Sequence, residues 1–176
     1  MRAKQLILAL AGVILTALSL EGCGPFWVNP YIAVEKSALN WMEIHYYNLE
    51  AKPIRRYAVY INGMGHVEVR KGTSERISND FARGLKEETW NNISTQRKTI
   101  DADYVNSLFQ DLVNRGVLDA EKYFKDKAKD EVKDRFIAVK ANINNRTYSE
   151  NENVFETDPE LAESLYDVVQ QFRTPD

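Results

Sequence analysis

The chain has 176 residues, of which 44% are hydrophobic, enough to build the core of one folded domain. Its formal net charge is −3, and basic and acidic residues are interspersed along it. Nucleic-acid binding requires a basic surface that displaces counterions, so this charge balance argues against a nucleic-acid partner.

The first residues carry the pattern of a secretory signal peptide. Arg2 and Lys4 precede an uncharged, mainly apolar stretch from Leu6 to Leu20. This stretch is shorter than the roughly 20 residues that a helix needs to cross the hydrocarbon core of a bilayer. Cleavage is therefore expected, with an uncleaved membrane anchor as the alternative.

The end of this segment, Leu20-Glu21-Gly22-Cys23, resembles the lipobox of bacterial lipoprotein precursors. Leucine at −3 and a small residue at −1 fit that pattern, whereas Glu21 stands where a small or apolar residue is usual. The resemblance implies cleavage between Gly22 and Cys23, a diacylglycerol on the Cys23 thiol and acylation of the new amino group. Cys23 is the only cysteine of the chain, in agreement with a thiol reserved for lipid. An ordinary cleaved signal is the alternative.

The lipoprotein resemblance also implies a location. An aspartate directly after the lipidated cysteine commonly retains such proteins in the inner membrane, but Gly24 stands there. We therefore expect an anchor in the membrane through lipid on Cys23, on the periplasmic face of an outer membrane if the organism has one. The chain then divides into a signal peptide (1–22), a lipidated N-terminus and tether (23–39) and a single domain (40–176).

The first predicted strand is the alternating stretch WMEIHYY, which starts at Trp41. Its period of two places Met42, Ile44 and Tyr46 on one face. Glu43 and His45 lie on the other face, which we expect to be the solvent side.

A β-hairpin is predicted in the stretch RRYAVYINGMGHVEVRKG, where two β-rich runs flank Asn62-Gly63. This dipeptide readily takes the positive φ angles of a tight turn, and the later glycine leaves a loop of two or four residues. In both registers the same four residues share one face: Ala58, Tyr60, Val67 and Val69.

A weaker strand is expected from about Glu88 to Thr99, with Trp90 as its main apolar side chain. The Asn-Asn pair that follows is typical of a bulged or edge strand. An amphipathic helix comes next, capped by Asp101 or Asp103 and ended near Gly116. Its apolar stripe consists of Val105, Leu108, Phe109, Leu112 and Val113.

The last third of the chain repeats the hairpin and helix pattern. Ile137, Val139, Ala141 and Ile143 alternate before a turn at Asn144-Asn145. A second helix begins at Asp158-Pro159-Glu160. Its buried stripe consists of Leu161, Leu165, Val168, Val169 and Phe172. The order of elements favours an α+β fold: an antiparallel sheet built from hairpins, with two amphipathic helices on one face.

Both histidines belong to pairs that could hold a metal. Glu43 and His45, like His66 and Glu68, are two residues apart and project from one face of a strand. If the two strands were adjacent and in register, these four side chains would form a zinc or copper set. The simpler interpretation is solvent-side polar residues, so no metal or other cofactor is predicted.

No nucleophile elbow, zinc-protease helix, P-loop or dinucleotide fingerprint occurs in the sequence, and we expect no enzymatic activity. Tyr46, Tyr47, Tyr57 and Tyr60 could build a peptide- or glycan-binding face, with sheet-core packing as the alternative. The predicted function is a lipid-anchored, non-catalytic binding or scaffolding module for an envelope protein or peptidoglycan. The alternatives are a ligand- or metal-binding lipoprotein and, less favoured, an envelope hydrolase.

Overall fold

A computed structural model describes four parts of the chain: residues 32–77, 90–118, 132–150 and 152–173. The chain divides into two compact units, 1–31 and 32–176, and the described residues all belong to the second. Cys23 and its neighbours lie outside the described residues, so signal cleavage and lipidation stay predictions. In the part of the chain that is described, no helix is both long enough and apolar enough to span a bilayer.

The described part of the second unit contains six strands and three helices. In chain order these are β1 (Trp41–Asn48), β2 (Ile54–Asn62), β3 (His66–Ser74), β4 (Asn91–Thr99), α1 (Ala102–Asn114), β5 (Arg135–Ile143), β6 (Arg146–Glu150), α2 (Val154–Thr157) and α3 (Pro159–Phe172). The strands form one antiparallel sheet in the order β4-β3-β2-β1-β5-β6. The predicted α+β fold with a hairpin-built sheet is confirmed, while the short helix α2 was not predicted.

Helices α1 and α3 cover one face of the sheet, and the main core lies between them and the strands. Met42, Ile44 and Tyr46 of β1 point into this core, as their alternation predicts. The Tyr46 ring packs against Tyr166 of α3, with the ring centroids 4.7 Å apart. Burying side chains of this size contributes about 1.5–3 kcal/mol each, so this layer dominates the stability of the fold.

The ends of α1 follow the signals in its sequence. The Asp101 carboxylate accepts the Tyr104 backbone N–H at 2.8 Å and caps the first turn. At the other end Gly116 takes a φ of +94°, and the Val117 N–H donates to the Leu112 carbonyl at 3.1 Å. This is a Schellman ending, in which glycine supplies the left-handed residue.

Helix α3 also begins where predicted. The Asp158 carboxylate accepts the Leu161 backbone N–H at 3.1 Å, and Pro159 occupies the first turn, where no hydrogen bond is lost. All five residues of the predicted apolar stripe are buried in the main core.

The β2–β3 hairpin differs from the prediction in loop length. Its loop is Gly63–Gly65, because Asn62 ends β2 and His66 begins β3. The Asn62 side chain accepts the N–H groups of Met64 and His66 at 3.1 and 3.0 Å, and Gly65 alone takes a positive φ, +84°. The turn therefore uses an Asn side chain and a bulge-type glycine rather than Asn62-Gly63 at its centre.

A three-residue loop changes which residues of β2 and β3 face the same way. Val67 pairs with Ile61 and Val69 with Val59, so both valines point into the main core. Ala58 and Tyr60 lie on the opposite face. The prediction that Ala58, Tyr60, Val67 and Val69 share one face is wrong, because a shift of one residue in pairing turns one strand over.

The β5–β6 turn and the edge position of β4 are confirmed. Asn144 and Asn145 both have positive φ, 50° and 61°, and they connect the strands as a two-residue turn. Within the described ranges, strand β4 pairs only with β3 and ends the sheet. Its pairing is irregular near Asn91, and Asn92 has a φ of +54°, as in a bulged strand.

The segment just before β1 packs on the domain. Val34 is buried in the main core, and its N–H donates to the Gln110 side chain of α1 at 2.8 Å. Asn144 donates through Nδ2 to the Ala33 carbonyl at 2.7 Å. Residues 32–39, which the sequence assigns to a tether, are thus held by α1 and by the β5–β6 turn.

Candidate functional site

The face of the sheet opposite α1 and α3, called the second face below, carries the polar side chains of β1. Glu43 and His45 point to it because they alternate with the core residues of the strand. Ala58 stands opposite His45, and its small side chain leaves room for the longer Arg56 from the same strand. Three charged or polar side chains, Glu43, His45 and Arg56, therefore meet and are called the buried charge cluster.

Hydrogen bonds join the three members of the buried charge cluster. His45 Nε2 lies 2.5 Å from Glu43 Oε1, and Arg56 Nη2 lies 3.3 Å from His45 Nδ1. A guanidinium can only donate, so Nδ1 accepts and the imidazole proton sits on Nε2, where it is donated to the carboxylate. The imidazole is therefore neutral in this arrangement.

Burial reinforces the neutral state of His45. The residue is only 1% exposed, and this desolvation lowers its pKa below the ordinary 6.5. The carboxylate of Glu43 acts in the opposite direction, while the positive charge of Arg56 adds to the lowering. The net direction is downward, so His45 stays unprotonated at neutral pH.

Arg56 is held between two aromatic rings. Its Cζ lies 4.1 Å from the centroid of the Trp90 ring and 5.0 Å from that of Tyr47. Burial lowers the pKa of Arg56 to about 10, and the attraction of Tyr47 and Glu43 partly opposes that change. The guanidinium thus remains charged at neutral pH, and the two rings stabilise it in place of water.

The buried charge cluster is closed to solvent. Glu43, His45 and Arg56 are 7%, 1% and 0% exposed, next to a small apolar layer that contains Tyr47 and Phe136. The expectation that Glu43 and His45 are solvent-side residues is wrong, because Arg56 from β2 packs against His45 and Trp90 in turn packs on Arg56. A general acid or base has to reach its substrate, so this arrangement suits a structural role.

We expect the folded protein to lose stability as the pH falls below 6.5, because the unfolded chain then binds a proton at His45 that the folded chain excludes. The contribution is complete above pH 6.5 and declines below it, with a slope of at most about 1.4 kcal/mol per pH unit. Urea unfolding at a series of pH values measures the slope. His45→Gln should flatten it between about pH 5 and 6.5, above the usual carboxylate range.

His66→Gln is the matched control for this pH dependence, since His66 is exposed. This variant should retain the full slope. An unchanged slope in His45→Gln would show that His45 is protonated equally in the folded and unfolded chain, against the assignment above.

The four candidate metal ligands do not come together. Strand β2 lies between β1 and β3, and Tyr60 stands between Glu43 and Glu68 in the register. Two inter-strand spacings of about 4.8 Å, and four residues of about 3.3 Å along the strands, separate His45 from His66. In the described ranges no three histidine, cysteine or acidic side chains are placed to hold a metal ion.

A shallow depression of about 450 Å³ lies at the β2–β3 hairpin end of the sheet and is called the hairpin groove. It is lined by Tyr60, His66, Val67, Glu68, Arg97, Lys98 and Thr99. The Tyr60 ring stacks on Trp41, with centroids 6.2 Å apart and planes 27° from parallel. The groove thus joins an aromatic wall to charged side chains of β3 and β4.

Glu68, one of the residues that line the hairpin groove, is fixed by two arginines. Arg70 Nε and Arg97 Nε each donate to its carboxylate at 2.7 Å. Partial burial raises the pKa of Glu68, but the hydrogen bonds and charges of Arg97 and Arg70 outweigh that effect and hold the pKa below its usual range. Glu68 is therefore ionised, and the three groups together carry one net positive charge.

The four tyrosines considered for a binding face have separate positions. Tyr46 and Tyr57 are buried in the main core, and Tyr47 is buried on the second face beside Phe136. Only Tyr60 is partly exposed, and it lines the hairpin groove. The alternative of sheet packing is correct for three of the four.

Neither a protein-family model nor a curated protein matches this chain. The residues of these sites that the sequence does not single out include Arg56, Trp41, Arg70 and Arg97. The alternation along β2 does place Arg56 on the same face as Ala58 and Tyr60. Which face of the sheet this is depends on the length of the β2–β3 loop, and only a three-residue loop makes it the second face. Trp41 and Arg97 belong to these sites through contacts with residues of other strands, Tyr60 and Glu68, and no local sequence pattern indicates such contacts.

Proposed function

We propose that the protein is a bacterial envelope lipoprotein, anchored by lipid on Cys23, whose folded domain is a non-catalytic binding or scaffolding module. The open edge of β4 is the observation that supports the binding role. Eight of its nine residues are exposed, the exception being Ile93. Exposed strand edges pair readily with another chain, so a long one indicates a docking surface unless it is blocked.

The closed state of the buried charge cluster supports binding over catalysis. In this cluster the His45 imidazole is hydrogen-bonded to the Glu43 carboxylate, and both residues are buried. A substrate could not reach them unless the second face opened. The outer face of β4 and the hairpin groove are instead open to solvent, which suits recognition of another envelope component.

Small-molecule capture is the second candidate, and the hairpin groove favours it. Its volume of about 450 Å³ lies within the usual range for ligand sites, and Tyr60, Glu68 and Arg97 offer an aromatic surface beside fixed charges. The separation of the four candidate metal ligands favours an organic ligand over a metal ion. A ligand of this kind would raise the melting temperature of the wild type but not of Tyr60→Ala.

Fatty-acid labelling in cells tests the anchor. We expect wild-type chain to incorporate an alkyne-tagged fatty acid and to sediment with membranes, because the Cys23 thiol accepts the lipid. Cys23→Ser should lose the label and leave the membrane fraction. Ser19→Ala, which leaves the lipobox intact, is the matched control and should behave as wild type. Unchanged labelling and sedimentation in Cys23→Ser would contradict the anchor.

Photo-crosslinking in the same cells tests the binding role. A crosslinking amino acid at Thr95 of β4 should yield a discrete product with an envelope component. Asp167, an exposed residue of α3, is the control position and should yield none. Equal products from both positions, or none from Thr95, would contradict a role for the β4 edge.

A further inference from the structure

We propose that β4 binds an extended, acidic polypeptide segment of a partner protein by strand addition. The inference rests on the proposed function and specifies the partner of the binding module. It follows from three properties of the same edge: the direction of its backbone groups, the charges around it, and the groove beside it.

The backbone of β4 presents a regular row of hydrogen-bonding groups at the open edge. The Ile100 N–H donates to the Gly65 carbonyl at 2.9 Å, which fixes the phase of the β3–β4 ladder. In an antiparallel ladder, successive residues point alternately toward the neighbouring strand and away from it. The N–H and C=O groups of Thr95, Arg97 and Thr99 therefore point away from β3.

This row is accessible along residues 94–99. All six side chains are exposed, whereas Ile93 is half-buried and Asn92 has a left-handed backbone. The irregular pairing near Asn91 therefore ends the usable edge on one side. The remaining length matches the five or six residues of an average strand.

The charges around this edge select an acidic partner. Arg97 and Arg70 lie on the second face of β4 and β3, and Lys98 and Lys71 lie on the opposite face. Arg173 adds a positive charge there, in a small depression that it shares with Lys71, Ser94 and Gln96. Strands β3 and β4 hold one acidic residue, Glu68, so this region is basic although the chain as a whole carries −3.

The hairpin groove offers a place for a side chain of the added strand. Arg97, Lys98 and Thr99 line it at the edge of the sheet, and Tyr60 forms its inner wall. Alternate side chains of an added strand point to the same face, so one of them would enter this groove. Backbone pairing would supply affinity, and the groove and the arginines would supply selectivity.

A second copy of this chain suits the edge less well. Pairing of β4 with β4 from another copy would bring Arg97 and Lys98 of both copies onto two adjacent short strands. Like charges on paired strands are destabilising. An acidic segment instead places opposite charges against these side chains.

Fluorescence anisotropy with a defined probe tests the inference. The probe is a fluorescein-labelled peptide in which Glu alternates with Val and Thr, and the control peptide has Lys in place of Glu. The protein is the full chain purified in detergent. We expect saturable binding of the acidic probe that weakens as salt is raised, and no saturable binding of the lysine peptide.

Substitutions at the edge separate backbone pairing from general attraction. Thr95→Pro removes only an outward N–H, so it leaves the β3–β4 hydrogen bonds intact and should weaken probe binding roughly tenfold. Thr95→Ala keeps the N–H and should bind within about twofold of wild type. Arg97→Gln should weaken binding, whereas Arg115→Gln, which removes the same charge at the end of α1, should not. Unchanged thermal unfolding of each variant shows that the fold is retained.

Equal binding of both peptides, or equal binding by wild type and Thr95→Pro, would overturn strand addition of an acidic segment. Self-association of the full chain that Thr95→Pro abolishes would assign the edge to a second copy and would also overturn it. If Thr95 still crosslinks to an envelope component in cells, the binding module stands and only the acidic partner fails. If that crosslink is absent as well, the proposed function itself fails.

Discussion

Gly65→Ala should lower the free energy of unfolding by about 3 kcal/mol or more. Gly65 has a φ of +84°, and a Cβ there would lie 2.1 Å from the Ile100 carbonyl oxygen. The contact cannot be relieved locally, because the Gly65 carbonyl also accepts the Ile100 N–H and so ties the hairpin to the end of β4. Urea unfolding of the purified chain measures the loss.

Gly116→Ala is the matched control for this prediction. Gly116 has a similar φ of +94°, but a Cβ there meets no atom within 4 Å. Only the conformational cost then applies, about 1 kcal/mol. Equal losses in the two variants would show that the close approach to Ile100 contributes nothing.

Arg56→Ala should destabilise the fold by about 3–5 kcal/mol, since removal of one partner leaves a buried charge uncompensated. Glu43 would lose the nearby positive charge, His45 Nδ1 would lose a donor, and Trp90 would lose the group on which it packs. Arg55→Ala is the control, because the neighbouring Arg55 is exposed on the same strand. It should change the free energy of unfolding by less than about 1 kcal/mol.

The Arg56 variant has a second expected consequence at the β4 edge. Trp90 directly precedes β4, so loss of its contact with Arg56 should loosen the start of that strand. Faster hydrogen exchange of the β4 amides, relative to those of α3, would show it. A stable Arg56→Ala protein with unchanged exchange would mean that the neighbouring rings, and not the guanidinium, hold Trp90.

The parts of the fold that the sequence predicts are those with local causes. Asp101, Gly116 and Asp158 bond to backbone groups a few residues away, so a short stretch contains the whole signal. Asn144-Asn145 is equally local. The length of the β2–β3 loop was predicted wrongly, because either Asn62-Gly63 or Gly65 can supply the left-handed backbone of the turn. A change of one residue in loop length moves Tyr60 to the face opposite Val67 and Val69.

The sites depend on residues that are distant in the sequence. His45 contacts Arg56 from β2, and Trp90 from before β4 packs on Arg56, so no pattern within β1 indicates that His45 is buried. The hairpin groove likewise requires Glu68 and Arg97 from different strands. The edge strand was predictable because its cause, an Asn pair followed by polar residues, lies within β4.

The hydrogen bonds between α1 and residues 32–34 limit the distance between the domain and a lipid anchor on Cys23. The Ile32 carbonyl accepts a hydrogen bond from Gln110 Nε2 at 2.9 Å, so the chain is bound to the domain from Ile32 onward, nine residues after Cys23. Nine fully extended residues span about 30 Å. With the anchor that we propose, Ile32 would stay within this distance of the lipidated Cys23. The domain would then stay close to the membrane. If the anchor and the binding role that we propose are both correct, binding would take place close to the membrane surface.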